Sequence, residues 1–310
     1  MRIVFMGTPD IAATCLYKLI EAKREVVGVV TGEDKARGRG NVLTPTPVKS
    51  LALANGIPVY TPKTLRDEAF MEILRELMPD IIVVVAYGKI LPKEVLFFPQ
   101  YGSVNVHVSL LPKYRGAAPM QRAIMDGEKE TGVTIMYMDE GLDTGDIILT
   151  ERFPIGKKDN FETIHDKSAE IGGNLMLEAL SAIESGTATR EKQNDAAATY
   201  AKKIEKSEAK IDLSKSAAEL DAVIRGLTPI PGAYVMQNGK MLKIAEAEDT
   251  SGKGEIGEVI AVDDKGEGSF TVACGEGALK ILRIKPEGKG VMTSGDYIRG
   301  RKISKGDILN

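Results

Sequence analysis

The 310-residue chain has no tryptophan, two cysteines, two histidines and no long apolar run, and each scarcity closes off a class of protein. Two cysteines, Cys15 and Cys274, cannot build a disulfide framework, so a reducing compartment is expected. No Cys/His set has zinc spacing, and the acidic stretch around 139–146 does not match a calcium loop, so no metal is expected. The longest uninterrupted apolar stretch, Ile81–Tyr87, is far short of the roughly 20 residues a membrane helix needs. The apolar opening before Pro9 is too short for a secretion signal and lacks a small-residue cleavage site. A cytoplasmic protein without membrane contact is the expectation. Gly7-Thr8-Pro9-Asp10 is not Gly-x-Gly-x-x-Gly, and neither a Gly-x-x-x-x-Gly-Lys-Ser/Thr loop nor a Gly-x-Ser-x-Gly elbow occurs. Dinucleotide cofactors, triphosphates and a serine nucleophile all lose support.

What is present reads as two domains, since single cores rarely grow past about 100–200 residues. The first half alternates β-branched runs with helical spacing, the mark of a parallel sheet covered by helices. Strands are predicted at Arg2–Met6, Glu25–Thr31, Pro58–Tyr60, Asp80–Tyr87, Ser103–His107, Thr131–Met138 and Asp146–Phe153. Helices are predicted from Ile11, with Thr8-Pro9-Asp10 as its cap, and over Phe161–Glu184. Residues 189–206 turn polar and read as a linker between a domain at 1–188 and one at 207–310. Beyond it lie a helix at Ala217–Leu227 and short strands at Leu242–Ala247, Gly257–Val262, Ser269–Ala273 and Ala278–Ile284, suggesting a small barrel or sandwich.

Four features carry chemistry. Strand alternation puts Asn105 and His107 on one face, at the carboxyl end of a parallel strand, where open α/β sheets place their sites. His107 has a same-face amide neighbour, whereas His165 sits in a helical pattern. The run from Met138 to Asp146 is dense in acid and glycine; it reads as a turn, from which one aspartate could orient the imidazole. The Thr31–Pro47 connection is long and basic, with Lys35, Arg37 and Arg39, and calls for a reason beyond linkage. Finally, eight basic residues crowd 280–305 against Glu287 and Asp296, in a chain of net charge −3. Such a local patch can steer a polyanion despite the overall sign.

Three runs resemble the folate-dependent formyltransferases, and within that group the methionyl-tRNA formyltransferase family. They are Phe5–Asp10; Asn105-Val106-His107-Val108-Ser109-Leu110-Leu111-Pro112 with its continuation to Pro119; and Thr131–Met136 leading to Gly141-Leu142-Asp143-Thr144-Gly145-Asp146. Tyr200–Ile204 and Gly300-Arg301-Lys302 extend the likeness over nearly the full length. The resemblance implies a Rossmann-like, mostly parallel sheet with helices on both faces, followed by an OB-like β-barrel. It implies transfer of a formyl group from 10-formyltetrahydrofolate to the amine of initiator methionyl-tRNA; a monomer is the separate expectation. In that reading Asn105 and His107 bind the oxygen of the tetrahedral intermediate, and Asp143 holds His107 and assists proton transfer. Ser109, Leu110, Leu111 and Pro112 would line the folate site. Arg39, with Lys35 and Arg37, and Lys202, Lys203, Lys206, Arg299, Arg301 and Lys302 would meet tRNA. The chain departs from the family pattern at Val108, at Asn41, and at Thr228-Pro229-Ile230-Pro231, where Asn-Pro-Trp-Pro is common.

Formyltransferases acting on glycinamide ribonucleotide or on amino sugars would share the same three residues. They explain neither the basic loop nor the basic C-terminal stretch. A non-catalytic RNA-binding protein would explain the basic surfaces but not the Asn105/His107 pair.

Overall fold

The computed structural model describes residues 1–37 and 42–310. Strand β1 (Arg2–Gly7) is apolar on both sides and buried on both, as a central strand must be. Helix α1 (Asp10–Glu21) follows directly. The expected side-chain cap at Thr8-Pro9-Asp10 is not formed: the Pro9 carbonyl accepts from the backbone of Ala12 and Ala13, and Asp10 supplies first-turn negative charge instead. After β2 (Glu25–Val30), the long basic connection contains an antiparallel pair, β3 (Lys35–Arg37) and β4 (Val42–Thr44). Helix α2 (Pro47–Ala54) starts from Thr46, whose hydroxyl accepts the Lys49 N–H, with Pro47 in the first turn where no N–H is needed. Then come β5 (Val59–Tyr60), α3 (Glu68–Leu77) capped by Asp67, β6 (Ile81–Val85), α4 (Lys93–Leu96), β7 (Ser103–His107) and the two-residue β8 (Arg115–Gly116). Helix α5 (Pro119–Met125), β9 (Glu130–Tyr137), β10 (Ile147–Pro154), α6 (Phe161–Glu184) and β11 (Tyr200–Ala201) complete this part of the chain.

The main sheet runs β10-β9-β7-β6-β1-β2-β5. Pairs from β5 through β7 are parallel, and β9 lies antiparallel to β7. The chain builds outward from β1 to β2 and β5, then returns to the other side of β1 for β6 and β7. That reversal is the switch point at which such sheets open a crevice at their carboxyl edge. On one face, Val4, Met6, Ile82 and Val84 pack with Phe70, Leu74 and Leu77 of α3. On the other, the space beside Gly172 of α6 is filled by Val106 and Val133, and Gly173 lies against Lys18 and Cys15 of α1. Helices therefore cover both faces. Burying each large apolar side chain contributes about 1.5–3 kcal/mol.

The chain divides into two compact units, each packed mainly on itself. The first comprises Met1–Pro119, Glu130–Phe153 and His165–Ala201; the second comprises Met120–Lys129, Pro154–Ile164 and Lys202–Asn310. In the second, α7 (Ala217–Leu227) opens with a reciprocal Ser216/Glu219 capping box. Strands β12 (Tyr234–Gln237), β13 (Lys240–Thr250), β14 (Val259–Asp263), β15 (Ser269–Ala273), β16 (Ala278–Pro286) and β17 (Met292–Thr293) follow, then α8 (Ser294–Arg299). Their sheet is antiparallel, in the order β12-β13-β16-β15-β14 with β17 on β16. Leu220, Ile224 and Leu227 of α7 join Val235, Leu242, Ile244, Phe270 and Ile281 in its core. Among the described residues no helix is long and apolar enough to cross a membrane.

Candidate active site

Strand β7 delivers the two side chains singled out by alternation. Asn105 pairs with Val84 of β6 and Met136 of β9, and His107 pairs with Thr134. Between them, Val106 turns to the opposite face and packs on α6. The Asn105 carboxamide has no hydrogen-bond partner among the described residues and remains partly accessible. An amide that has spent neither of its N–H groups on the protein can spend them on a ligand.

His107 is 5% exposed, and its Nε2 lies 3.0 Å from the Tyr114 carbonyl. A carbonyl can only accept, so Nε2 carries the proton and the neutral ring offers a lone pair at Nδ1. That nitrogen faces the Asp143 carboxylate, with Oδ2 at 3.8 Å. The separation is too long for a hydrogen bond but short enough for strong attraction once the ring gains a second proton.

Asp143 sits in the left-handed region at φ +54°, which an aspartate tolerates better than most residues. The loop that carries it is tightly wound. A Cβ on Gly145 would collide with the Tyr137 carbonyl oxygen, so only glycine fits that approach. The Asp143 carboxylate also accepts the Gly116 backbone N–H at 2.8 Å. The structure thus brings Asn105, His107 and Asp143 together at the carboxyl edge of the sheet.

The Ser-Leu-Leu-Pro run divides. Ser109 is fully buried, and its hydroxyl donates to the Lys113 carbonyl at 2.7 Å while its own carbonyl accepts from Thr134. It closes the turn rather than presenting its hydroxyl outward. Leu111 is buried, whereas Leu110 and Pro112 keep some accessible surface. Val108, the departure from the family pattern, is half-buried.

Three residues to which the sequence assigns no individual part lie here. Tyr87, two positions beyond β6, has a buried hydroxyl with no partner among the described residues, and burial pushes its pKa up to about 12. It stays protonated, a donor still to be satisfied. Arg115 is 2% exposed and is held by Gln193 and by Asp195 at 2.7 Å. Gln193 in turn reaches the Asp143 loop. A buried guanidinium stripped of its partners would cost about 3–5 kcal/mol, so this arrangement is demanding to keep. Neither Gln193 nor Arg115 follows a periodic pattern, and Gln193 falls in the stretch read as linker.

Of the expected tRNA contacts, Arg39 lies outside the described residues. Lys35 is exposed on β3, and Lys202, Lys203, Lys206, Arg301 and Lys302 are exposed in the second unit. Arg299 differs, because its guanidinium binds the Asp264 and Gly266 carbonyls and the Asp296 carboxylate. Arg122 grips the Lys202 and Lys203 carbonyls and forms a two-pronged pair with Glu208 at 2.6 and 2.9 Å, which holds the Glu208 carboxyl below its usual range. A cleft of about 1010 Å³ also lies in the second unit, lined by charges of both signs including Asp221, Glu248 and Lys157. Size alone does not mark the chemistry. Among the described residues no His/Cys/Asp/Glu group could hold a metal ion.

Comparison with known proteins identifies the family. Residues 1–180 match the formyl transferase family and residues 203–302 match the formyl transferase C-terminal domain. The chain is 46% identical to the methionyl-tRNA formyltransferase of Lachnospira eligens, covering 100% of this chain and 99% of that protein. It is 47% identical to the methionyl-tRNA formyltransferase of Caldanaerobacter subterraneus, with 100% of each chain covered. Among solved structures, an N-formyltransferase from Helicobacter canadensis in complex with folinic acid and dTDP-3-aminofucose shares the fold at a TM-score of 0.67 and 22% identity, over 90% of this chain and 97% of that one. The methionyl-tRNA formyltransferase from Clostridium thermocellum superposes at a TM-score of 0.58 and 20% identity, over 82% and 95%. With both parts matched and full-length relatives at nearly half identity, the chain belongs to the formyl transferase family, in its methionyl-tRNA formyltransferase branch.

Proposed function

We propose that this enzyme transfers the formyl group of 10-formyltetrahydrofolate to the α-amine of initiator methionyl-tRNA, as a cytoplasmic monomer, with Asn105, His107 and Asp143 at the reaction centre. One observation carries the site assignment: an unspent carboxamide and an imidazole project from one strand end, with a carboxylate 3.8 Å from the ring. The full-length relatives, which bear that enzyme's name, support the choice of acceptor.

Attack of an amine on a formamide carbon drives negative charge onto the formyl oxygen. Donors already aimed at that oxygen lower the barrier, and one such donor is typically worth about 10²–10³ in rate. Asn105 suits that role because its N–H groups are uncommitted. His107 suits proton handling: Nδ1 can take the proton released by the attacking amine, and the Asp143 carboxylate then faces an imidazolium. Leu110, Leu111 and Pro112 would line the donor's side of the site, with Ser109 bracing their turn. The exposed Lys35, Lys202, Lys203, Lys206, Arg301 and Lys302, together with Arg37, Arg39 and Arg299, would meet phosphates.

The test offers purified enzyme the formyl donor with four acceptors: methionyl-initiator tRNA, methionyl-elongator tRNA, glycinamide ribonucleotide and an amino-sugar nucleotide. Rapid formylation of the first alone is expected. Preference for either small amine would overturn the acceptor assignment.

A further inference from the structure

We propose that Gln193 is a positioning residue for Asp143: its side-chain amide sets the conformation that aims the carboxylate at His107. This rests on the role proposed for Asp143 and extends it to a residue in the polar stretch after α6.

The Gln193 amide is saturated. Its Nε2 donates to the Asp143 carbonyl at 2.9 Å and to the Gly145 carbonyl at 2.7 Å. Its Oε1 accepts from Arg115 Nε at 3.1 Å and Nη2 at 2.8 Å. With two carbonyls on one side and a guanidinium on the other, only one orientation of the amide is possible. The clamp acts on a residue held in the left-handed region, Asp143 at φ +54°. Rotation of the peptide after Asp143 would carry its carbonyl away and swing its side chain from the ring. Gln193 opposes that rotation through the carbonyl.

The other end of Asp143 is held from the strand that carries Arg115. Gly116 donates to the carboxylate, and Gly116 follows Arg115 in β8. Gln193 itself is anchored on both sides. Glu191 exchanges backbone hydrogen bonds with Ile147 at 2.8 and 2.9 Å, and Arg190 stacks on Tyr137 with its guanidinium 3.7 Å from the ring centre. Downstream, Arg115 N–H donates to the Thr199 carbonyl and Ala117 N–H to the Ala201 carbonyl. Stretch 190–201 is therefore fastened to both strands that flank the Asp143 loop and to β8 behind it.

Gln193→Glu separates positioning from mere support of the buried Arg115. Glutamate keeps the length and the acceptors, and would hold the guanidinium at least as well. It loses both donors and sets a carboxylate against two carbonyl oxygens. The variant should fold, with turnover down on the order of tenfold to a hundredfold, as for other supporting hydrogen bonds behind reacting groups. KM for tRNA and for the formyl donor should stay within about twofold, since uniform binding is untouched. Combined with Asp143→Asn, it should slow the enzyme little further, because both changes remove one function. Wild-type turnover in Gln193→Glu, or full additivity in the double variant, would overturn the proposal. If Asp143→Asn alone kept wild-type turnover, the role given to Asp143 would fall, and this inference with it.

Discussion

Gly116 donates its backbone N–H to the same Asp143 carboxylate oxygen that faces His107 Nδ1, at 2.8 Å against 3.8 Å. The acid is thus tied first to the main chain and only second to the imidazole. One oxygen faces both groups, and the backbone donor holds it in place beside the ring.

Gly116 has φ +117°, and a Cβ there would lie 2.9 Å from the Ala201 carbonyl oxygen. Gly116→Ala should therefore displace this N–H from the carboxylate. We expect turnover to fall more than about tenfold, and melting to show a loss of about 1–3 kcal/mol from the strained backbone. Unchanged turnover in a variant of normal stability would show that the N–H is dispensable.

Asn105→Ala removes the uncommitted amide without leaving a buried partner unsatisfied. Turnover should drop by about 10²–10³ with little change in melting temperature. His107→Ala should cost more, because proton transfer is lost as well. Near-wild-type single-turnover rates in both would remove the site assignment.

Asp143→Asn preserves shape while discarding charge. The pH–rate profile should change form along with a lower plateau, as expected when a ring loses its counter-charge. A profile that merely scales down would argue that the carboxylate has no part in proton handling.

Glu208 titrates below the ordinary glutamate value of 4.5, chiefly through its hydrogen bonds to Arg122. A carboxyl depressed in the folded state contributes stability above its unfolded pKa and loses it as pH falls through the folded value. Glu208→Gln should therefore destabilise by roughly 0.5–1 kcal/mol near neutrality, discounted for partial exposure. The gap to wild type should close below about pH 4.5. Denaturant melts near neutrality and in acid well below that value test the sign, and a gap that widens in acid would reverse it.

Affinity for charged tRNA should weaken steeply with salt, with log Kd linear in log salt concentration. Lys302→Ala should lower the slope by about one phosphate contact. Arg299→Ala should lower it less and cost stability more, since its guanidinium is occupied by the Asp264, Gly266 and Asp296 oxygens. Titrations at several salt concentrations decide between them.

Much of the reacting end of the fold is legible because it follows a period. Alternation along Ser103–His107 puts Asn105 and His107 on one face, and the same five residues form β7. The 3.6-residue spacing over Phe161–Glu184 and Ala217–Leu227 likewise matches α6 and α7. Helices α2 and α3 and strand β12 do not stand out in the same way, although Thr46-Pro47 and Asp67 carry cap chemistry that could mark the helices. The Gln193–Arg115 contact has no such signal. It joins two side chains 78 positions apart, and the other bonds of Gln193 go to loop carbonyls, which leave no trace in residue type. Ser109 is readable as part of a motif, but not as the buried brace of a turn.

The pairing of β8 with β11 sets where this polypeptide can be cut. A fragment ending with α6 at Glu184 would contain the strand end, the imidazole and the acid, yet would lack Gln193, Asp195 and the edge that seats Arg115–Gly116. The smallest self-sufficient piece of the first unit must run on to Ala201, seventeen residues past the last regular helix it contains.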